Sequence, residues 1–98
     1  MNKIIITIAG VEYTIKQSFR ALMLFEELTG KSVSLMNETM ADITKLFYCI
    51  VKGNNREKFN YTFDEFIDLL DSETEVFTVF TDFLQEQAKG LVQEEKKN

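Results

Sequence analysis

The chain has 98 residues, a formal net charge of −5, 45% hydrophobic residues, no proline, no tryptophan, no histidine and one cysteine. Its hydrophobic content excludes global disorder, and its length favours one domain. Without histidine, and with Cys49 alone, the chain cannot form a Ser–His or Cys–His nucleophile pair, an internal disulfide, or a multi-cysteine zinc or iron–sulfur site.

The charge is unevenly distributed. Residues 1–58 carry eight basic and six acidic side chains, whereas residues 59–88 carry eight acidic and no basic ones. Binding a nucleic-acid backbone requires clustered Lys and Arg, so this acidic half argues against nucleic acid as a partner. It indicates either a solvated acidic face or a surface for a basic partner.

Residues 3–16 predict a β-hairpin. A type II′ turn with Gly10 first would pair Ile8 with Tyr13 and Ile6 with Ile15. Alternate residues then give one apolar face and one mixed face, as in a sheet covered on one side. Because two strands alone are marginally stable, we expect the hairpin to lie on helices; its edge leaves open a further pairing with a third strand or a second subunit.

The first predicted helix covers residues 18–29. Ser18 is a capping residue at its start, and Gly30 can adopt the left-handed conformation that ends it. The segment between them is so apolar that we expect the helix to be mostly covered by the rest of the chain.

Three more helices are predicted, over residues 39–52, 62–71 and 73–91. Thr39 opens the second, and the Lys52–Asn55 segment, which includes Gly53, stops it. Thr62 and Glu65 form a capping box, and residues 72–75 form another. Residues 94–98 are expected to be a frayed, charged tail. The predicted fold is therefore α+β and mostly helical: one domain over residues 1–93, with an N-terminal two-stranded antiparallel β-hairpin packed on about four helices.

No residue pattern predicts catalysis, a cofactor or a metal site. The densest polar cluster, over residues 64–75, lacks the glycine and the twelve-residue frame of a calcium loop. Acidic residues near helix N-termini are stabilising there, which favours a structural reading of this cluster. Cys49 follows Tyr48 within a predicted helix and is expected to be a packed small residue. A protein without enzymatic activity is the prediction.

Surplus apolar surface indicates binding instead. The fourth helix carries a hydrophobic stripe wider than one core contact needs, and Met23 lies on the polar side of the first helix. A methionine there is either a tolerated exposed side chain or an adaptable contact for a partner. The predicted partner-binding residues are Met23, Val76, Val79, Phe80 and Phe83.

The order of segments resembles a known family. After the hairpin come SFRALMLFEELTGKS, a helix containing LFYCIVKGNN, YTFDEFIDLLD and a final helix. This order is similar to that of the small tail assembly chaperones of long-tailed phages and prophages. The closest parts are residues 25–32 and residues 62–71, and the resemblance extends from about residue 4 to residue 91.

The resemblance implies a function. Such a chaperone binds the tape measure protein, keeps its long apolar helices soluble, helps tail tube subunits polymerise around it, and then leaves. It implies no catalytic residues. No signal peptide is recognisable and the apolar run at residues 4–6 is too short to span a membrane, so we expect the cytoplasm of a bacterial host and no membrane contact.

Three alternatives stay open. A structural tail subunit, such as a connector or minor tail protein, would remain in the virion. A small acidic regulator would block a host or phage protein through its carboxylates, and charge reversal at Asp64, Asp68 and Asp82 would abolish that activity. A metal-dependent enzyme is a further alternative, testable by calorimetry with Mg²⁺ or Ca²⁺.

Overall fold

A two-stranded antiparallel hairpin and four helices form this α+β fold. The computed structural model describes the backbone of residues 3–97 and the side chains of residues 3–87. Its elements in chain order are β1 (Ile4–Ile8), β2 (Val11–Ile15), α1 (Phe19–Thr29), a 3₁₀ turn (Val33–Leu35), α2 (Met40–Asn54), α3 (Phe63–Ser72) and α4 (Thr74–Lys97). Helix α2 is central because α1, α3 and β2 all pack on it, while α4 packs on α3 and β1.

The hairpin has the predicted faces but a different register. Ile6 pairs with Tyr13 and Ile8 with Val11, so the turn is at Ala9–Gly10 and the predicted Gly10–Val11 turn is wrong. Both turn residues have positive φ, 52° for Ala9 and 81° for Gly10, as a type I′ turn requires. The pairing differs from the predicted one by an even number of residues, so the same side chains stay on the buried face.

A side chain from outside the hairpin holds this turn. The backbone N–H of Ala9 donates a hydrogen bond of 2.7 Å to Oε2 of Glu73, at the junction of α3 and α4. The capping box predicted over residues 72–75 is wrong at its first residue, because Ser72 is the last residue of α3 and α4 begins at Thr74.

The other predicted caps are present. Ser18 accepts a hydrogen bond from the N–H of Ala21, and Thr39 accepts one from Asp42. Thr62 and Glu65 form the reciprocal capping box that opens α3. These bonds satisfy backbone donors that a helix start otherwise leaves unpaired.

Helix α2 ends within the Lys52–Asn55 segment that was predicted to stop it, two residues beyond the predicted end at residue 52, so Gly53 lies inside the helix. A β-carbon at Gly53 would be 3.0 Å from the backbone nitrogen of Ala21. The glycine thus lets α1 approach α2 closely, and the helix ends one residue later, before Asn55.

Asn55 joins helix and hairpin. Its side-chain amide donates to the carbonyl of Thr14, and its Oδ1 accepts from the N–H of Thr14, both at 2.9 Å. The amide therefore occupies the outer edge of β2 as a neighbouring strand would.

Helix α4 extends to Lys97, beyond the predicted end at residue 91. The frayed tail expected over residues 94–98 stays a prediction, since the side chains beyond residue 87, and Asn98 entirely, lie outside the described residues.

Candidate partner-binding surface

Three of the five predicted partner-binding residues are in the core. Val76 and Phe83 are 5% exposed and Phe80 is fully buried, so the prediction that these three form a surface is wrong. Met23 and Val79 are at the surface, 60% and 44% exposed. The predicted site therefore splits into a buried part and two exposed side chains on different helices.

The wide stripe of α4 is explained by its position. The ring of Phe80 stacks on Phe47 of α2, with centroids 4.2 Å apart and planes within 6°. The same helix packs on α3 and on β1, so it needs apolar side chains over a broad arc. The apolar side chains of α4 that the sequence analysis counted as surplus are therefore core residues, which contact several neighbouring elements at once.

The exposed side of α1 carries a second apolar residue beside Met23. Phe19 is 86% exposed and precedes Met23 by four residues, so the two lie about one helical turn apart on the same face. The expectation that α1 is mostly covered is therefore wrong. The four-residue spacing already places Phe19 on the same side of the helix as Met23, but the sequence analysis did not identify Phe19 as an exposed residue.

An apolar groove lies between α3 and the N-terminal parts of α2 and α4. Its volume is about 400 Å³, and two exposed side chains, Met40 (67%) and Ile67 (37%), line it. We call it the apolar groove; its lining residues are Met40, Ala41, Thr44, Lys45, Phe63, Ile67, Leu70, Asp71, Thr74 and Phe77. The sequence analysis missed it, because a groove is made by three helices and no single pattern encodes their junction.

A second groove lies on the other side of Phe63, between α1, the C-terminal half of α2 and residues 59–63. Its volume is about 730 Å³. We call it the basic groove because three cationic side chains line it, those of Arg20, Lys52 and Arg56, with Glu27 as the acidic one. Phe63 lines both grooves.

The wall of the basic groove is held in place by Tyr48. Its hydroxyl donates a 2.7 Å hydrogen bond to the carbonyl of Tyr61, which fixes the segment before α3. The Nζ of Lys52 donates to the same hydroxyl at 3.3 Å and lies 5.4 Å from the centre of the ring.

The Cys49 thiol and the carboxylates are the described groups that bear on nucleophilic or metal chemistry. Burial raises the pKa of the Cys49 thiol to about 12, so it stays protonated near neutral pH and is a weak nucleophile. Over residues 3–87, no group of three or more His, Cys, Asp or Glu side chains is arranged to hold a metal ion. The carboxylates of Glu65 and Glu73 accept backbone hydrogen bonds instead.

Asp42 is a structural acid. Its carboxylate accepts a hydrogen bond of 2.7 Å from Nζ of Lys31 and one of 2.8 Å from the N–H of Asn37. The hydrogen bond from Lys31, and then that from Asn37, holds the pKa of Asp42 below its ordinary value. This cluster ties the connection after α1 to the start of α2.

In comparisons with known proteins, no protein-family model, curated protein or solved structure matches this chain. Among the residues described, none of the helices has both the length and the apolar content needed to cross a membrane.

Proposed function

We propose that this protein is a tail assembly chaperone of a long-tailed phage or prophage, without enzymatic activity, that binds the tape measure protein in the host cytoplasm. The observation that carries the proposal is the apolar groove, in which Met40 and Ile67 are exposed beside half-buried Phe63 and Phe77. The resemblance of residues 25–32 and 62–71 to that family supports the same function.

The groove suits an apolar helix. An amphipathic helix places side chains from successive turns into such a groove. Methionine is flexible and polarisable, so Met40 can adapt to different side chains along a long partner. A chaperone that binds many apolar turns of one tape measure protein needs this tolerance more than high affinity for one sequence.

The proposal replaces the interface predicted on α4. Phe80→Asp and Phe83→Asp would place a carboxylate in the core and unfold the domain, so they do not probe binding. Met40 and Ile67 are better probes, because their side chains are already in contact with solvent.

Co-expression with the tape measure protein encoded in the same phage or prophage tests the proposal. The wild-type chain is expected to keep that protein in the soluble fraction, and Met40→Glu/Ile67→Glu to lose this effect while its circular dichroism is unchanged. Leu35→Glu/Val11→Glu is the matched control, because Leu35 and Val11 are 69% and 39% exposed and line neither groove. Equal loss in both variants, or no solubilisation by the wild-type chain, would reject the proposal.

Mass analysis of purified particles separates a chaperone from a structural tail subunit. A chaperone that leaves after helping tail tube protein polymerise is absent from the finished particle.

A homo-oligomer that pairs through the hairpin edge, as the sequence suggests, would use β1, since Asn55 occupies the edge of β2 at Thr14.

A further inference from the structure

The basic groove gathers positive charge in an acidic protein. Arg20 on α1 is distant in sequence from Lys52 on α2 and Arg56 just after α2, yet all three are exposed and line one groove. The chain as a whole has a net charge of −5. The fold therefore brings Arg20 to the groove that Lys52 and Arg56 line, and positive charge is concentrated there.

Glu27 lines the same groove, but among the described residues it forms no ion pair within 4 Å with any of these three cations. Across residues 3–87, the ion pair within 4 Å is that of Lys31 with Asp42, on another part of the surface. Lys52 is held by the hydroxyl and ring of Tyr48, which are neutral. With three cations and one carboxylate in its lining, the groove keeps a net positive charge that an anion brought into it would compensate, and a concave site strengthens this effect.

The same groove has an apolar component. Leu28 is 41% exposed, and Leu24 and Tyr61 are half-buried beside it. An occupant that complements the groove therefore carries both carboxylates and apolar side chains. A free inorganic anion would satisfy only the cations.

Phe63 connects this groove to the apolar groove, because its ring lines both. A segment that lies in the apolar groove can continue past Phe63 into the basic groove. Asp64 and Asp68, which come after Phe63 on α3, are exposed. Their carboxylates would repel the continuous negative charge of a polyphosphate backbone. A polypeptide, whose charges are spaced by apolar residues, is the better match.

We infer that the basic groove binds the acidic part of an amphipathic partner segment, in which carboxylates flank the same apolar stripe that enters the apolar groove. The inference rests on the proposed function, since it specifies the chemistry of the helices that the chaperone binds. It assigns two roles. Apolar contacts around Met40 and Ile67 provide most of the buried contact area. Arg20, Lys52 and Arg56 select for negative charge and orient the segment.

Synthetic peptides test this inference without the tape measure protein. Three labelled helical peptides of about 18 residues, five turns, share one leucine stripe and carry Glu, Gln or Lys beside it. Fluorescence anisotropy with the full chain is expected to give the lowest Kd for the Glu peptide. Arg20→Glu/Arg56→Glu is expected to raise that Kd about tenfold and to leave the Kd of the Gln peptide nearly unchanged.

Lys3→Glu/Lys16→Glu is the matched control, because it makes the same change in net charge with residues that line neither groove. It is expected to leave the Kd of the Glu peptide within about twofold. The inference is overturned if the Lys peptide binds as tightly as the Glu peptide, if both charge-reversal variants weaken binding equally, or if inorganic phosphate or a single-stranded oligonucleotide displaces the Glu peptide.

The two proposals fail differently. If Met40→Glu/Ile67→Glu abolishes solubilisation of the tape measure protein but the peptides show no charge preference, the chaperone function stands and the inference is wrong. If the Glu peptide binds selectively but the tape measure protein is not solubilised, the groove binds acidic segments and the proposed function is wrong.

Discussion

Gly53 of α2 lies directly against Ala21 of α1, so that a β-carbon on the glycine would be 3.0 Å from the Ala21 nitrogen and 3.2 Å from its α-carbon. Both nearby atoms are backbone, which cannot rotate away as a side chain can. The contact explains a glycine inside a helix, where it is otherwise unfavourable. It also sets the spacing of the two helices whose side chains line the basic groove.

Gly53→Ala is expected to destabilise the protein. Alanine favours a helix by about 1 kcal/mol over glycine, but overpacking costs about 1–3 kcal/mol, so we expect a net loss of about 1 kcal/mol. Urea denaturation measures the free energy of unfolding. A variant more stable than the wild type would show that α1 moves aside easily and that the close contact does not constrain the helix pair.

Phe80→Ala and Phe19→Ala are expected to differ strongly, although both remove the same side chain. Phe80 is fully buried and stacks on Phe47, so its loss should cost about 3–5 kcal/mol. Phe19 is 86% exposed, and its loss should change stability by less than about 0.5 kcal/mol. Thermal or urea unfolding of both variants checks this, and similar losses would contradict the assignment of Phe19 to the surface.

The link between Lys31 and Asp42 should make stability depend on pH in the acid range. The folded-state pKa of Asp42 is below its ordinary value of 3.8, mainly because Lys31 donates a hydrogen bond to the carboxylate. This contribution is therefore fully present above the unfolded pKa and is lost as the pH falls through the folded value.

Lys31→Met is expected to lower the free energy of unfolding near neutral pH and to raise the pKa of Asp42, observed by NMR titration of its carboxylate. The difference from wild type should disappear once the pH falls below the folded pKa. Lys45→Met is the control, because Lys45 is the weakest of the influences on Asp42. A difference in stability that stays constant down to low pH would show that Lys31 acts by packing and not through this carboxylate.

The elements of this fold could be predicted because their signals are local. Ser18, Thr39 and Thr62 mark helix starts, and alternation in the hairpin defines its buried face even though the turn was misplaced. The turn prediction failed because Gly10 fits the second position of a type I′ turn as well as the first of a type II′ turn. The hydrogen bond from Ala9 to Glu73, distant in sequence, carries no local signal.

The candidate surface could be predicted only in part. Apolar spacing shows which side of a helix is apolar but not how many neighbours cover it, so Phe80 and Phe83 were assigned to a surface when α4 buries them. Met23 was found because it lies on a polar face. Met40 and Ile67 were missed because they lie on different predicted helices, and the groove between these helices exists only once the fold brings them together.

The account depends most on the apolar groove as the site where a partner helix docks. NMR spectra of the labelled chain, recorded as a helical peptide from the tape measure protein is added, test this directly. We expect the largest shifts in the methyl signals of Met40 and Ile67 and in amides near Phe77, with Leu35 and the hairpin unchanged. Shifts centred on the hairpin or on Leu35, or none at saturating peptide, would contradict it.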